Sequence, residues 1–309
     1  MNASKSKNRL GMRLWKSRYI YLFLLPGILY FLIFCYRPMA GLVLAFKKYN
    51  AGLGVWGSPW VGLDNFRRLF ITPLAKQAIR TTIVISCGRL AIEFIFPILL
   101  ALMLNEMPGR KLKRVYQTVF TFPHFLSWII IARILQDLFA NNGAVNALLA
   151  RLGAESTVKF LSTPSIFRGL IYFTSIWKEA GWSAIIYIAA IAGISQDLYE
   201  AATIDGASRL QSIWHVTLPG IRTTIVLLLI MQLGNMMNAG FDQIFNMRNP
   251  AVKNSIDIID TYVYDITFDA VPNYGFSTAV GMFKSCINCA LLLVANGTAK
   301  KVTGEGLFN

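Results

Sequence analysis

Apolar residues run along this chain in long unbroken blocks, separated by short polar or basic connections. Tyr19 to Tyr36 is eighteen residues without a charge, long enough for a helix to cross a bilayer. A second block, roughly Gln77 to Asn105, is interrupted by Arg89 and Glu93, one helical turn apart. The third runs from Val115 to about Phe139, with Arg133 and Asp137 near its end. The fourth, about Ile166 to Ile194, holds Lys178 and Glu179 near its middle. The fifth, about Leu218 to Phe241, turns polar over Gln232 to Asn238, and the sixth, about Phe276 to Ala299, carries Lys284. The pattern predicts an all-α integral membrane protein with six transmembrane helices in one domain over 1–309. Its core lies at about 75–300, preceded by an N-terminal helix and outer loop at 1–74.

The connections orient these spans. Met1 to Arg18 has six Lys or Arg and no acid. The first apolar block is too long for a signal peptide, contains Pro26-Gly27, and lacks a small-x-small cleavage site. Leu32-Ile33-Phe34 before Cys35 is not a lipoprotein cleavage pattern. An uncleaved helix with a cytoplasmic N-terminus is expected. Met107 to Arg114 (MPGRKLKR) has four basic residues and no acid, which places it in the cytoplasm. Gly52, Gly54, Gly57 and Pro59 break regularity in the first outer segment, where Trp56 and Trp60 suit a membrane–water interface. The segments around Asn141-Asn142-Gly143 and from Asp242 to Tyr274 also fall outside, so both termini are cytoplasmic. The basic bias is moderate, because Arg37, Lys47, Lys48, Arg67 and Arg68 lie outside.

Composition supports the membrane assignment. The chain is 55% hydrophobic with a mean hydropathy of +0.51, and only 15% of residues are charged, against roughly 25% in soluble domains. The net charge of +15 is met by positive-inside topology rather than by nucleic acid, since no basic stretch belongs to an amphipathic soluble fold. Cys35, Cys87, Cys286 and Cys289 all sit in apolar blocks. Cys286 and Cys289 form a CxxC without a second ligand pair, so packing is expected and metal binding is not. His124 and His215 are too few for a histidine metal site.

One polar connection stands apart. Asp197 and Glu200 have capping-box spacing, so a helix is expected to start there. Leu198, Tyr199, Ala201, Ala202 and Ile204 give it an apolar face, and Asp205-Gly206 ends it. Ser208 and Gln211 repeat the spacing and start a second short helix, and Pro219 suits the first turn of the fifth span. Ala201, Ala202 and Ala207 allow close approach. A helix pair lying on lipid headgroups would carry Lys and Arg on its polar face. This one offers Asp197, Glu200 and Asp205 against Arg209, which favours docking on a protein.

Glu200-Ala201-Ala202, Gly206, Val216 and Leu218-Pro219 stand in an order that resembles the EAA motif of binding-protein-dependent ABC importers, with Val216 where the family more often has Ile. Tyr199 to Ala207 is similar to the carbohydrate-uptake (maltose-type) permeases. Tyr21-Leu22-Phe23-Leu24-Leu25-Pro26-Gly27, Trp60 to Phe66 and Asn238 to Phe245 resemble the LplB-type branch, associated with oligosaccharides from complex polysaccharides. The resemblance covers nearly the whole chain. It implies a non-enzymatic permease subunit of the bacterial cytoplasmic membrane, paired with a second, homologous permease. It implies docking on two ATPase subunits through a coupling loop of Glu200, Ala201, Ala202, Asp205, Gly206, Ala207, Leu218 and Pro219. An extracytoplasmic binding protein would deliver the oligosaccharide. ATP and Mg would be bound by the ATPases, and this chain has no Gly-x-x-x-x-Gly-Lys-Ser/Thr loop.

Ionisable and polar residues within spans are expected either to line the substrate path or to lock helices. Arg89 with Glu93, and Arg133 with Asp137, are spaced to pair. Lys178 and Glu179 adjoin Trp177 and Trp182, a combination suited to sugar C–H faces and hydroxyls. Gln232, Asn235 and Asn238 recur at helical spacing, with Asp242 beyond. Lys284 is expected to meet an acidic sugar, Glu179 or Glu93. The alternatives are a permease of the same architecture for glycerol phosphate or another small polar solute, a channel, or a membrane-embedded enzyme. No HExxH, GxSxG or paired-Asp motif supports the last.

Overall fold

The computed structural model describes residues 15–268, 271–304 and 306–308. The basic segment 1–14, expected in the cytoplasm, lies outside the described residues. The described chain is helical throughout, with one isolated antiparallel bridge between Lys47 and Trp60.

Helix α1, Arg18–Phe46, extends ten residues past the uncharged block. A π turn over Phe31–Tyr36 and a 3₁₀ finish over Ala40–Phe46 carry it through Arg37-Pro38. None of its most apolar stretch is buried within the chain. Residues 47–63, with a helical turn at Gly54–Gly57, then lead to α2, Asp64–Ile71, an amphipathic helix. Its buried Asn65 donates to the carbonyls of Ala45 (2.9 Å) and Lys47 (3.1 Å), fixing α2 to the end of α1. Helix α3, Pro73–Glu106, is about 51 Å long at 1.5 Å per residue.

The basic segment after α3 is less of a loop than its charge suggests. Only Met107 to Gly109 is non-helical, with Gly109 at φ +85°. Arg110, Lys111, Lys113 and Arg114 already belong to α4, Arg110–Thr121. The third span is also not one rod. The 3₁₀ turn Phe122–Phe125 separates α4 from α5, Trp128–Leu138, and the two meet at 97°. Pro123 removes a backbone donor at the bend, and Ser127 caps α5 by accepting from Ile130 N–H at 3.4 Å. A hydropathy pattern registers composition and is blind to such a turn. Helix α6, Ala144–Arg151, occupies the expected loop.

Helix α7, Pro164–Ala192, is the axis of the bundle and packs most extensively on α3. Gly181 lets it touch the other limb of the bend, since a Cβ there would run into the Phe120 carbonyl. Helices α8, Gln196–Ile204, and α9, Arg209–Gly220, follow, and α9 meets α10, Arg222–Gly234, at 62°. The fifth span then unwinds over Asn235 to Gly240 before α11, Phe241–Met247. The acidic segment beyond contains α12, Ile259–Phe268. Helix α13, Tyr274–Thr303, closes the bundle. By length and composition three helices are able to cross a membrane, or up to six if each bent pair counts as one span.

The cysteines do not pack in the core. Cys87, Cys286 and Cys289 are exposed on the helix surfaces and Cys35 is intermediate.

Candidate functional site

Two features stand out, one at the α8–α9 end of the bundle and one inside it. Helix α8 is capped by Ser195, whose hydroxyl accepts from Asp197 N–H at 3.3 Å, so the expected Asp197–Glu200 box is not the cap. Ser195 precedes Asp197 and leaves the helix one residue sooner. The C-terminus closes as anticipated. Gly206 sits at φ +76°, and Ala207 N–H reaches back to the Ala202 carbonyl at 2.9 Å, the pairing of a glycine-terminated helix. The Ser208–Gln211 box is present in both directions, at 2.7 and 3.4 Å. The Tyr199 and Thr217 hydroxyls lie 3.0 Å apart and tie α8 to α9. Gly220 packs against Ile194, joining both ends of the hairpin to the bundle.

The loop therefore has a fixed shape and a bare apolar surface. Leu198, Ile204, Leu210 and Trp214 are 55%, 86%, 69% and 66% exposed. Glu200, Ala201, Asp205, Gly206 and Pro219 are also exposed, while Ala202, Ala207 and Leu218 are half-buried.

The second feature is a cavity of about 290 Å³ beside the unwound part of the fifth span. The expected residues Arg89, Glu93, Gln232, Asn235 and Asn238 all line it, with Gly240. Arg89 pairs with Glu93 at 2.8 Å, so the charges neutralise one another within α3. The Ser175 hydroxyl also donates to Glu93. Arg89 Nη1 donates to Gln243 Oε1 at 2.7 Å. Fully buried Gln243 in turn donates to Thr174 Oγ1 and the Ile171 carbonyl, both at 2.8 Å. The turn itself is held by Asn288 Oδ1, which accepts from Met237 N–H at 3.0 Å. Ala239 at φ +25° and Gly240 at φ +82° make the break. A side chain on Gly240 would collide with the Arg89 guanidinium. Asp242 lies past this cavity in the first turn of α11.

Lys178 and Glu179 belong to a different cluster. Lys178 Nζ donates to the His124 carbonyl at 2.6 Å, and Glu179 Oε2 lies 2.8 Å from His124 Nδ1. The His124 ring stacks on Trp182 with centroids 4.4 Å apart. These contacts hold the 97° bend against α7. Trp177 is 47% exposed on another side of the helix. Lys284 meets Asp260 at 2.6 Å, not Glu179, Glu93 or a free site, because α12 folds back over α13. Arg133 donates to Gln136 at 3.4 Å rather than pairing with Asp137. Sequence reasoning assigned no role to Gln243, Ser175, Asn288, His124 or Asp260. Gln243 carried the one available signal, a polar residue just past an Ala-Gly break.

A ridge of charge lies beyond α11. Arg248 pairs with Asp265 at 2.8 Å and Asp257 at 3.3 Å, and Lys253 reaches Asp265 at 2.8 Å. Burial pushes the Asp257 carboxyl above its usual range, outweighing Lys253 and Arg248. Burial also acts on Asp265, but hydrogen bonds and charge from Arg248 and Lys253 prevail and hold it below that range.

A long helical bundle with a broken fifth span and a capped, exposed helix pair before it defines a membrane permease. Residues 93–295 match the family of binding-protein-dependent transport system inner membrane components, and the chain belongs to it. It is a permease of the ABC importer class, on the branch that holds LplB. Over 296 residues it is 45% identical to Protein LplB of Bacillus subtilis (strain 168), covering 95% of this chain and 92% of that protein. It is 42% identical over 305 residues to the polygalacturonan/rhamnogalacturonan transport system permease protein YteP of the same organism, covering 98% and 94%. A crystal structure of a bacterial alginate ABC transporter, in complex with an alginate pentasaccharide-bound periplasmic protein, contains a chain of the same fold. That chain aligns with a TM-score of 0.89 and 37% identity over 97% of this chain and 100% of that one.

Proposed function

We propose that this chain is one of two transmembrane subunits of an ATP-driven oligosaccharide importer in the bacterial cytoplasmic membrane. The observation that carries the coupling role is the Ser195–Gly220 hairpin. It is rigidly capped and presents Ile204, Leu210 and Trp214 to the surroundings. In this reading it docks on an ATPase subunit, with both termini on the same, cytoplasmic side. Two such ATPases bind ATP and Mg and supply the power stroke, and this chain performs no hydrolysis. Glu200, Ala201, Ala202, Asp205, Gly206, Ala207, Leu218 and Pro219 form the docking element.

The cavity beside Asn235 to Gly240 forms this subunit's share of the path. Its charges are internally paired. The Ser86 hydroxyl is unpartnered, and the amides of Gln232, Asn235 and Asn238 add donors and acceptors that suit sugar hydroxyls, Asn238 donating to Asn235 Oδ1 at 3.3 Å and Asn235 to the Met231 carbonyl at 3.0 Å. At about 290 Å³ it lies at the small end of ligand pockets, which span roughly 300–1,000 Å³, as expected for half a passage completed by a second permease. The saccharides in the names of YteP and the alginate transporter support an oligosaccharide delivered by an extracytoplasmic binding protein. Trp182 and Glu179 act at the bend of the third span, and Lys284 braces the outer helix α12. Trp177 and Asp242 lie outside the cavity and carry no assigned contact with solute.

The test is co-purification and uptake. The tagged chain should bring down an ATPase and a second permease. Gly206→Asp should abolish ATPase association while the chain remains inserted, because it sets a charged side chain on the exposed turn of the hairpin at a glycine-favouring φ of +76°. Purification alone with solute transport intact, or unchanged ATPase association in the variant, overturns the reading.

A further inference from the structure

At the end of the bundle remote from α8 and α9, the first turns of α3 and α7 border an open cavity of about 520 Å³. It is lined by Lys76, Gln77, Arg80, Arg168, Asn254 and Ser255, among others, and by no carboxylate. The side chains of Lys76 and Arg80 make no hydrogen bond or ion pair with any described residue. Arg168 Nη2 donates to the Ser255 carbonyl at 3.1 Å, but its buried Nε has no partner. The nearby carboxylates are already engaged, Asp257 and Asp265 by Arg248 and Lys253. Three cations, Lys76 and Arg80 exposed and Arg168 half-buried, thus line one groove without a counter-charge, and the buried Arg168 Nε is left open. Such a cluster calls for an oxyanion.

The surroundings identify which one. A helix turns by about 100° per residue, so Arg80 and Arg89, nine residues apart, face opposite sides of α3. The cavity therefore lies away from the amide-lined path. On the face that carries Lys76 and Arg80, the next residues inward are Ile83, Val84 and Cys87, all exposed. The Tyr172 hydroxyl reaches the Val84 carbonyl at 3.2 Å and closes the side of the groove. Cations at the end of a span followed by bare apolar surface match one phosphate above two acyl chains.

We propose that Lys76, Arg80 and Arg168 form a specific site for the headgroup phosphate of an anionic phospholipid. The inference rests on the chain spanning a bilayer, and its readout does not depend on which solute is imported. The assembled importer is delipidated in detergent and titrated with palmitoyl-oleoyl phosphatidylglycerol, or with the matching phosphatidylcholine, under native mass spectrometry. One phosphatidylglycerol should be retained in preference to phosphatidylcholine. Lys76→Gln/Arg80→Gln should weaken its retention about 25-fold, two cations at roughly a factor of five each. Since neither side chain has a protein partner, assembly and melting temperature should not change. Arg80→Lys should keep most of the affinity. Tri-galacturonate should not displace the lipid. Equal phosphatidylglycerol retention in the double variant overturns the proposal, as does equal retention of phosphatidylcholine. Displacement by tri-galacturonate would make this a saccharide site, and loss of the second permease in the variant would make it a protein contact. Either result also overturns the proposal.

Discussion

Gly240→Ala tests the geometry of the cavity directly. The backbone there is at φ +82°, and an added Cβ points into the Arg89 guanidinium. The left-handed conformation costs an alanine about 1–2 kcal/mol. To make room, Arg89 must give up its 2.7 Å bond to Gln243. A charge-assisted bond of this kind is worth about 1.5–3 kcal/mol. The sum is a loss of about 2.5–5 kcal/mol. Unfolding in mixed micelles titrated with SDS measures it. The decisive control is a double-mutant cycle in an Arg89→Leu/Glu93→Leu background, which removes the collision and both charges together. There Gly240→Ala should cost only the backbone share, so the coupling should be about 2 kcal/mol. An equal cost in both backgrounds would refute the contact between Gly240 and Arg89 as the source.

Gly181→Ala should prevent stable assembly, at about 3 kcal/mol, because its Cβ meets the Phe120 carbonyl and backbone cannot yield as a side chain can. Gly169→Ala on the same helix meets nothing within 4 Å and should be neutral or slightly stabilising; size-exclusion profiles in detergent distinguish the two. Asp265→Asn should destabilise by about 1–2 kcal/mol at pH 7 after solvent screening. The Asp265 carboxyl is depressed in the folded state, so its contribution is present above the ordinary carboxylate value and lost as pH falls through the folded one. The gap between wild type and Asp265→Asn in a melting scan should stay flat from pH 8 to 5 and close below about pH 4. Asp257 has the opposite sign: its folded value is raised, so its share is present at low pH and lost as pH rises through that value. Asp257→Asn should therefore cost less at pH 7 than Asp265→Asn.

The element types were legible from the chain because apolar blocks and capping residues act locally. Ser208 with Gln211, and Gly206 after Asp205, appear as read. The breaks were not legible. Pro123 and Ala239-Gly240 permit the breaks at Phe122 to Phe125 and Asn235 to Gly240, but contacts from elsewhere in the chain hold them: Lys178 on the His124 carbonyl, Asn288 on Met237, and Gln243 between three helices. Residues more than fifty positions apart decide those turns, and periodicity carries no record of them. The same holds for Lys284, whose partner Asp260 stands on a short helix in a segment read as loop. Arg89 with Glu93 was legible because both partners lie on one turn.

The unwound part of the fifth span has a thermodynamic consequence. Its position is fixed by Arg89 through Gln243, and by Asn288 through Met237. Arg89 also borders the space open to solute. A solute group that takes the Nη1 hydrogen bond of Arg89 takes it from the joint between α10 and α11. Occupancy and joint stability are then linked quantities, and each shifts the other by the same factor. The joint is thus an energetic partner of the cargo as well as a gap in a helix, and stiffening it should lower the affinity of any cargo that competes for those bonds.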